Sequence, residues 1–319
     1  MAQLPETILP TIEAIYRHYQ EHAGDHRRDH LGASQIGHKC DRKLWFDFRW
    51  CTSPQHEGRL LRLFESGNHQ EPRLVKNLRD IGITVYDKDP DTDSQIHFET
   101  HGGHYSGSLD GVGQGFKESK QWHVLEFKTS GLKAFLKLKK EGVKAAKFEH
   151  YCQMNQYMSW AKLERAYYFC VCKDTDEIYG ERIHLDKELV ERLEARASRI
   201  VFADVPATRI SDNEDSPDCL FCQHKDICFG NRIPDVTCRT CAFANPEENG
   251  IWMCTRDNER LCKAKQREIL PCHVFIPQLI PLEQTDADPD KGTITYDDIT
   301  NGPGAIPSTE MQRLINGTP

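Results

Sequence analysis

Residues Gly107 to Lys128 read GSLDGVGQGFKESKQWHVLEFK, and the reading of this stretch decides the fold. Residues 121–129, QWHVLEFKT, are rich in β-branched and aromatic side chains, which predicts a strand. Side chains alternate faces along a strand, so Glu126 and Lys128 share one face. Asp110 closes the preceding run, HYSGSLD, and the intervening GVGQGFKESK has the composition of a turn-rich loop. The two runs are expected to pair as a hairpin-like unit that brings Asp110 beside Glu126. Two carboxylates and one ammonium then meet. Carboxylates at close range repel, and an oxygen-seeking divalent cation, Mg²⁺ or Mn²⁺, relieves that repulsion while keeping water in its coordination sphere.

Two further stretches bear on the same cluster. Upstream stands Gly67-Asn68-His69-Gln70-Glu71, and downstream Gln153-Met154-Asn155-Gln156-Tyr157, where helical spacing puts Gln153 and Tyr157 on one face. Asp110 followed by Glu126-Phe127-Lys128 resembles the core motif of the PD-(D/E)XK nuclease superfamily. The 67–71 stretch is similar to the G-x-x-x-(E/H) element of its RecB-like and lambda-exonuclease-like branch, and 153–157 to that branch's Q-x-x-x-Y element. The resemblance spans Gly67 to Tyr157, and each motif alone is common by chance. It implies an α/β fold, a central mixed β-sheet flanked by helices in a restriction-endonuclease-like core. It further implies a metal-dependent DNA nuclease, expected to be an exonuclease of a phage or prokaryotic recombination or repair system. Glu71, Asp110, Glu126 and the backbone carbonyl of Phe127 would hold Mg²⁺ or Mn²⁺. Lys128 would orient the attacking water or stabilise the phosphorus, and Gln153 and Tyr157 would face the DNA strand or the lysine. His69 competes with Glu71 as the upstream ligand, because Pro72 pushes Glu71 away from helical geometry. The implied partners are DNA, single-stranded or with single-stranded ends, and a recombination or single-strand-binding protein. The implied setting is the cytoplasm of a prokaryotic cell.

Charge is the awkward quantity, since a net −8 does not suggest nucleic acid. Its distribution answers part of this. Between Leu132 and Lys147 stand Lys133, Lys137, Lys139, Lys140, Lys144 and Lys147 against Glu141 alone, while residues 281–300 carry six acids against Lys291. A local basic rim that includes Lys133, Lys137, Lys140 and Lys147 can bind DNA on an acidic whole. The bland reading of such a run is a solvated helix face.

Thirteen cysteines, with neither an amino-terminal apolar leader stretch nor a long apolar span, read as metal ligands of a reducing compartment. Cys219, Cys222 and Cys228 form C-x2-C-x5-C and leave a fourth position open, for which Cys40 stands far upstream. By thiolate chemistry this set suits either zinc or an iron-sulfur cluster. It resembles the four-cysteine iron-sulfur staple of AddB and the CRISPR-associated RecB-like exonucleases, which implies [4Fe-4S]. Cys238 and Cys241 open a second set that Cys254 and Cys272 complete as a small zinc ribbon, with Cys262 and His273 as competing ligands. Cys51, Cys152, Cys170 and Cys172 read as buried thiols, and His97, His101 and His104 as surface residues of a hairpin.

Taken in order, residues 6–22 read as a helix with Ile8, Ile12, Ile15 and Tyr19 on one stripe. A second helix starts at Cys40, and a helical run over 60–78 is interrupted at Gly67. Strands are expected at 83–86, 96–100, 165–173 and 177–185, and helices at 131–141, 147–163 and 186–202. The domains expected are 1–230 for the nuclease and its staple, 231–280 for the zinc ribbon, and 281–319 for an acidic flexible tail with a short helix at 308–315. Two other function classes stand beside the nuclease. One is a non-catalytic DNA-binding or assembly subunit on the same scaffold; the other, an iron-sulfur redox enzyme, lacks a nucleotide fingerprint.

Overall fold

The computed structural model describes residues 9–317. The expected first helix is seen as α1 (Pro10–Glu21), residues 6–8 lying outside the described part. After β1 (Leu31–Gly32), α2 (Asp41–Phe48) starts where Cys40 caps it, the thiol sulfur accepting from the Lys43 N–H at 3.4 Å. Next come α3 (Gly58–Asn68) and α4 (Gln70–Asp80), so the helical run breaks at His69 rather than at Gly67. The chain continues with β2 (Thr84–Tyr86), β3 (His97–Thr100), β4 (Tyr105–Ser108), β5 (Gly111–Gln114) and β6 (His123–Ser130). α5 (Leu132–Ala146), α6 (Phe148–Trp160), β7 (Arg165–Cys172), β8 (Ile178–His184) and α7 (Lys187–Val201) complete the core.

The central sheet has five strands in the order β2-β5-β6-β7-β8. Only β6 and β7 run parallel, and such a pair needs a long crossover, which α5 and α6 provide. On one face, Leu74, Val75 and Leu78 of α4 pack against Val85, Leu125 and Phe127. Each such buried aliphatic contributes about 1.5–3 kcal/mol. On the other, Val124, Tyr168 and Cys170 meet Met154, Tyr157 and Met158 of α6. The architecture is the expected mixed α/β arrangement, a sheet flanked by helices.

The expected strand pairing is corrected. HYSGSLD does not pair with β6; β4 lies in a separate three-stranded sheet, ordered β1-β4-β3. The partner of β6 is GVGQ, read from its composition as loop, with Gly111, Val112 and Gly113 opposite Leu125, Val124 and His123. Its glycines serve close approach rather than a turn. A Cβ on Gly113 would lie 3.1 Å from Phe116 and 3.3 Å from Leu125, and one on Gly111 would lie 2.8 Å from the Tyr86 carbonyl oxygen.

The carboxy-terminal third also departs from expectation. After α8 (Lys225–Cys228), β9 (Ala244–Pro246), β10 (Trp252–Cys254) and β11 (Glu259–Leu261) form an antiparallel sheet, followed by α9 (Lys263–Arg267). Then β12 (Gln284–Asp288), β13 (Thr293–Tyr296) and β14 (Ile299–Asn301) pair antiparallel, and α10 (Ser308–Asn316) closes the chain. Residues 281–317 are therefore strands and a helix rather than a structureless tail. Ile294, Tyr296 and Met311 pack with Val274 and Phe275 in a core of their own, while Asp286 and Asp288 sit on the largely exposed β12 and Asp290, Asp297 and Asp298 in exposed turns.

Within residues 231–280, Trp252, Leu261 and Ile276 pack into the main core. Two fully buried arginines clasp this junction. Arg49, at the end of α2, donates to the Ala244 carbonyl at 2.7 Å. Arg239 donates back to the carbonyls of Phe48 and Asp29, each at 2.9 Å, and to Gln266 Oε1 at 2.8 Å. Its guanidinium lies 3.8 Å from the Trp50 ring centre and 4.6 Å from that of Trp252. Among the described residues no helix is long and apolar enough to cross a membrane.

Candidate functional site

The β5–β6 ladder ends at the Gly111–Leu125 pair, so the next strand-edge groups of β6 have no backbone partner on that side. Asp110, just before β5, fills the gap: its Oδ2 accepts the Phe127 N–H at 2.7 Å. The N–H and carbonyl of one strand residue face the same side, so the Phe127 carbonyl is directed to this edge as well. Glu126 is fully buried and forms an ion pair with the half-buried Lys128. Glu71, in the first turn of α4, reaches the same place. An open cavity of about 290 Å³ is lined by Gly67, Glu71, Asp110, Phe127, Lys128 and Thr129. His69 is exposed at the helix break and does not line it, so the geometry favours Glu71 over its competitor.

The electrostatics are those of crowded acids. Burial raises the Glu71 carboxyl to about 7, with the Asp110 charge adding to the effect and Lys128 opposing it. Burial also raises Glu126 and Asp110, more than Lys128 can offset. Burial works against the Lys128 ammonium, yet Glu126 and Asp110 outweigh it and hold that group above the usual lysine range. A cation among these acids would reverse the balance and favour their charged forms. Glu126 Oε2 is a buried acceptor without a hydrogen-bond partner, an atom such an ion would satisfy. Among the described residues, no three His, Cys, Asp or Glu side chains form a group that could hold an ion as they are now oriented.

α6 supplies the wall behind the carboxylates. Gln153 donates to the Tyr157 hydroxyl at 3.4 Å, and Tyr157 is raised by burial and then by the nearby Glu126 charge, so its phenol stays protonated. Gly107 makes room for that ring: a Cβ there would lie 2.7 Å from the Tyr157 hydroxyl oxygen. Sequence reasoning missed His150, one turn before Gln153, whose Nδ1 is 2.9 Å from the Tyr168 hydroxyl. Tyr168 stands opposite Glu126 in the β6–β7 register. Burial lowers His150 to about 3, with Lys128 contributing, and keeps it neutral. The 150, 153, 157 spacing along one helix face was the available signal.

Of the lysines expected to meet DNA, Lys133, Lys137 and Lys140 are exposed and Lys147 is half-buried. Lys137 lies 3.7 Å from Glu141, while Lys139 and Lys144 pair with Glu177 at 2.5 Å and Asp186 at 3.4 Å.

The cysteines sort into two cavities. Cys40, Cys219, Cys222 and Cys228 line one of them, walled by Phe46 and Phe229. Cys238, Cys241, Cys254 and Cys272 line another of about 180 Å³, and burial with the neighbouring thiols pushes Cys238 up to about 12. His273 borders this cavity, but its nitrogens face Ser308 Oγ at 2.8 Å and Thr240 Oγ1 at 3.2 Å. Cys262 is exposed and lines a different cavity. Thiolates are donors that zinc and iron-sulfur clusters favour, but among the described residues neither set forms a group that could hold an ion. Cys51, Cys152, Cys170 and Cys172 are buried. Of the three hairpin histidines, His104 is buried, contrary to expectation, with Nε2 3.0 Å from the Glu247 carbonyl oxygen.

No family model matches the chain, and no curated protein matches it. Among solved structures, it is similar to an alkaline exonuclease from Laribacter hongkongensis, with 16% identity, 59% of this chain and 90% of that one covered, and a TM-score of 0.41. The same exonuclease in complex with dAMP gives 17% identity, the same coverage and a TM-score of 0.41. A phage-related exonuclease from Haemophilus somnus 129PT gives 13% identity, 54% and 91% coverage, and a TM-score of 0.36. These likenesses are loose, and the roles below rest on this chain's own geometry.

Proposed function

We propose that this chain is a metal-dependent deoxyribonuclease that hydrolyses phosphodiester bonds, with Glu71, Asp110, Glu126 and the Phe127 carbonyl holding Mg²⁺ or Mn²⁺. One arrangement supports this reading: Glu71, Asp110 and Lys128 line a single open cavity, and Glu126, buried behind it and paired with Lys128, has one oxygen left without a protein partner. The bound cation supplies charge neutralisation and an acidified water. The chain's own groups do the rest. The Phe127 N–H fixes Asp110 at the sheet edge. Lys128 is placed to meet a phosphate oxygen and to stabilise the negative charge that grows there during displacement. Gln153 orients Tyr157, whose protonated phenol lies near Glu126 and Lys128 and can donate to the phosphate. Lys133, Lys137, Lys140 and Lys147 would contact the sugar-phosphate backbone.

The finer reading is exonucleolytic cutting in DNA recombination or repair, in a prokaryotic cytoplasm, beside a recombination or single-strand-binding protein. We assign Cys40, Cys219, Cys222 and Cys228 to a structural [4Fe-4S] cluster and Cys238, Cys241, Cys254 and Cys272 to zinc. A cluster joining residue 40 to residues 219–228 closes a very long loop, so its loss loosens the fold. The test is cation-dependent cleavage of labelled single- and double-stranded DNA. Asp110→Ala, Glu126→Ala and Lys128→Ala should each abolish it while circular dichroism is retained, and parental rates in all three would sink the reading. Metal analysis of anaerobically purified protein should find iron with broad visible absorption as well as zinc; zinc alone would reject the cluster.

A further inference from the structure

We propose that Tyr86 and Trp122 form a platform on which an unpaired base of a nucleic-acid strand stacks at the flank of the carboxylate cavity, a subsite that rests on the nuclease reading for its substrate class. The two rings stack, with centroids 5.8 Å apart and planes 30° from parallel. Tyr86 is 44% exposed and Trp122 half-buried, so the pair reaches solvent at the end of a strand.

Register places the pair. Tyr86 lies opposite Val112, and Val112 opposite Val124, so these three side chains share one face of the sheet. Glu126, two residues beyond Val124 in β6, belongs to that face too, and Trp122, one residue before β6 begins, is placed beside Tyr86 by the ring contact itself. Tyr86 also ends β2 where Asp110 leads into β5, its carbonyl oxygen only 2.8 Å from the point a Gly111 Cβ would occupy. Strand spacing puts Tyr86 roughly 12 Å from Glu126, a few nucleotides along a strand.

On the Trp122 side the charge favours a polyanion over an apolar protein segment, whereas the loop after Tyr86 carries Asp87, Asp89, Asp91 and Asp93 against Lys88, which pairs with Asp93. Trp122 follows the 115–121 loop, GFKESKQ, whose Lys117 and Lys120 are exposed; Glu118 is the loop's single acid. Among the described residues neither lysine is in an ion pair. Asp87, the acid beside Tyr86, is neutralised by Arg79 at 2.8 Å. The loop is anchored from beneath by Phe116, whose ring packs 5.0 Å from His123 and 4.9 Å from Tyr167. Every base has a π-face, so such a platform holds a single strand with little sequence preference while lysines neutralise the phosphates. A blunt duplex keeps its base faces inside the stack and gains nothing from it.

The test uses the full chain carrying Asp110→Asn, so that substrate stays intact, and labelled oligonucleotides with Mg²⁺ present. Adding Tyr86→Ala and Trp122→Ala should weaken single-strand binding about tenfold and leave blunt-duplex binding unchanged. The salt dependence should keep its slope, because the lost contact is not ionic, whereas Lys120→Ala should make it shallower. Tyr86→Phe with Trp122→Phe preserves the stack and should bind like the parent. Parental single-strand affinity in the alanine pair overturns the platform while the nuclease reading stands. Equal loss in the alanine and phenylalanine pairs marks a structural role and also overturns it. A parental chain that neither binds nor cuts DNA overturns both.

Discussion

Replacing Arg239 by Met should detach the second cysteine region from the core. Three guanidinium bonds disappear, and the Phe48 carbonyl, the Asp29 carbonyl and Gln266 Oε1 lose their donor. Each buried acceptor left unpaired costs roughly 1–3 kcal/mol. Loss of the close Trp50 contact at 3.8 Å removes a further cation–π term, about 2 kcal/mol when desolvated. Two effects offset this. Burial already penalises the cation, as the strong lowering of its pKa indicates, and Met refills part of the slot between Trp50 and Trp252. The net loss should be about 3–5 kcal/mol, the range seen when one partner of a buried charged network is removed. With a denaturant slope near 3 kcal/mol per molar, the urea midpoint should fall by roughly 1–2 M, read from tryptophan fluorescence. Arg239→Lys keeps the charge but not the planar fork, and should fall between the two. Under native conditions, hydrogen exchange should accelerate across 238–261 and the end of α2. A Met variant that unfolds within roughly 0.3 M of the parent would refute the reasoning, since such a shift is at most about 1 kcal/mol.

Gly107→Ala puts a methyl 2.7 Å from the Tyr157 ring and hydroxyl, and should lower kcat by about 10²-fold with little change in KM; an unchanged kcat would separate Tyr157 from the chemistry. At Asp47, burial works against the charge, but the hydrogen bond from His224 and the proximity of Lys43 outweigh it and lower its pKa to about 2. Against an unfolded value near 3.9 that is roughly 2.5 kcal/mol of stability, fully present above about pH 5 and lost as the pH falls through 2. Asp47→Asn should therefore cost stability at pH 7 and converge with the parent in acid; a difference independent of pH would count against it. At the second cysteine cavity, Cys272→Ser should lose zinc on dialysis while Cys262→Ser retains it, and the reverse result would reassign the fourth ligand.

The alternating run at 121–129 was enough to give β6 and to put Glu126 and Lys128 on one face, and i, i+4 spacing placed Gln153 and Tyr157 together on α6. Apart from β5, helix and strand order from residue 60 to 202 was legible for a similar reason: periodicity is written in neighbouring residues and survives without knowledge of their partners. Cys219, Cys222 and Cys228, and likewise Cys238 and Cys241, stood out as groups because their spacing is local, whereas Cys40, far upstream, joined its set only through a resemblance. Pairing was not. GVGQ looked like loop because its glycines were needed by Phe116, Leu125 and the Tyr86 backbone, none of which is adjacent in the chain. The choices of Glu71 over His69, and of Cys272 over Cys262, likewise depended on which side chain a distant surface left facing the cavity. The folded carboxy-terminal sheet was hidden by its acids, which lie on β12 and in exposed turns while Ile294 and Tyr296 alternate inward. Sequence alone determined the local conformations and the inventory of reactive groups. Tertiary structure decided which of those groups meet, because contact energies between remote segments, and not local preference, fix how strands and helices are assembled.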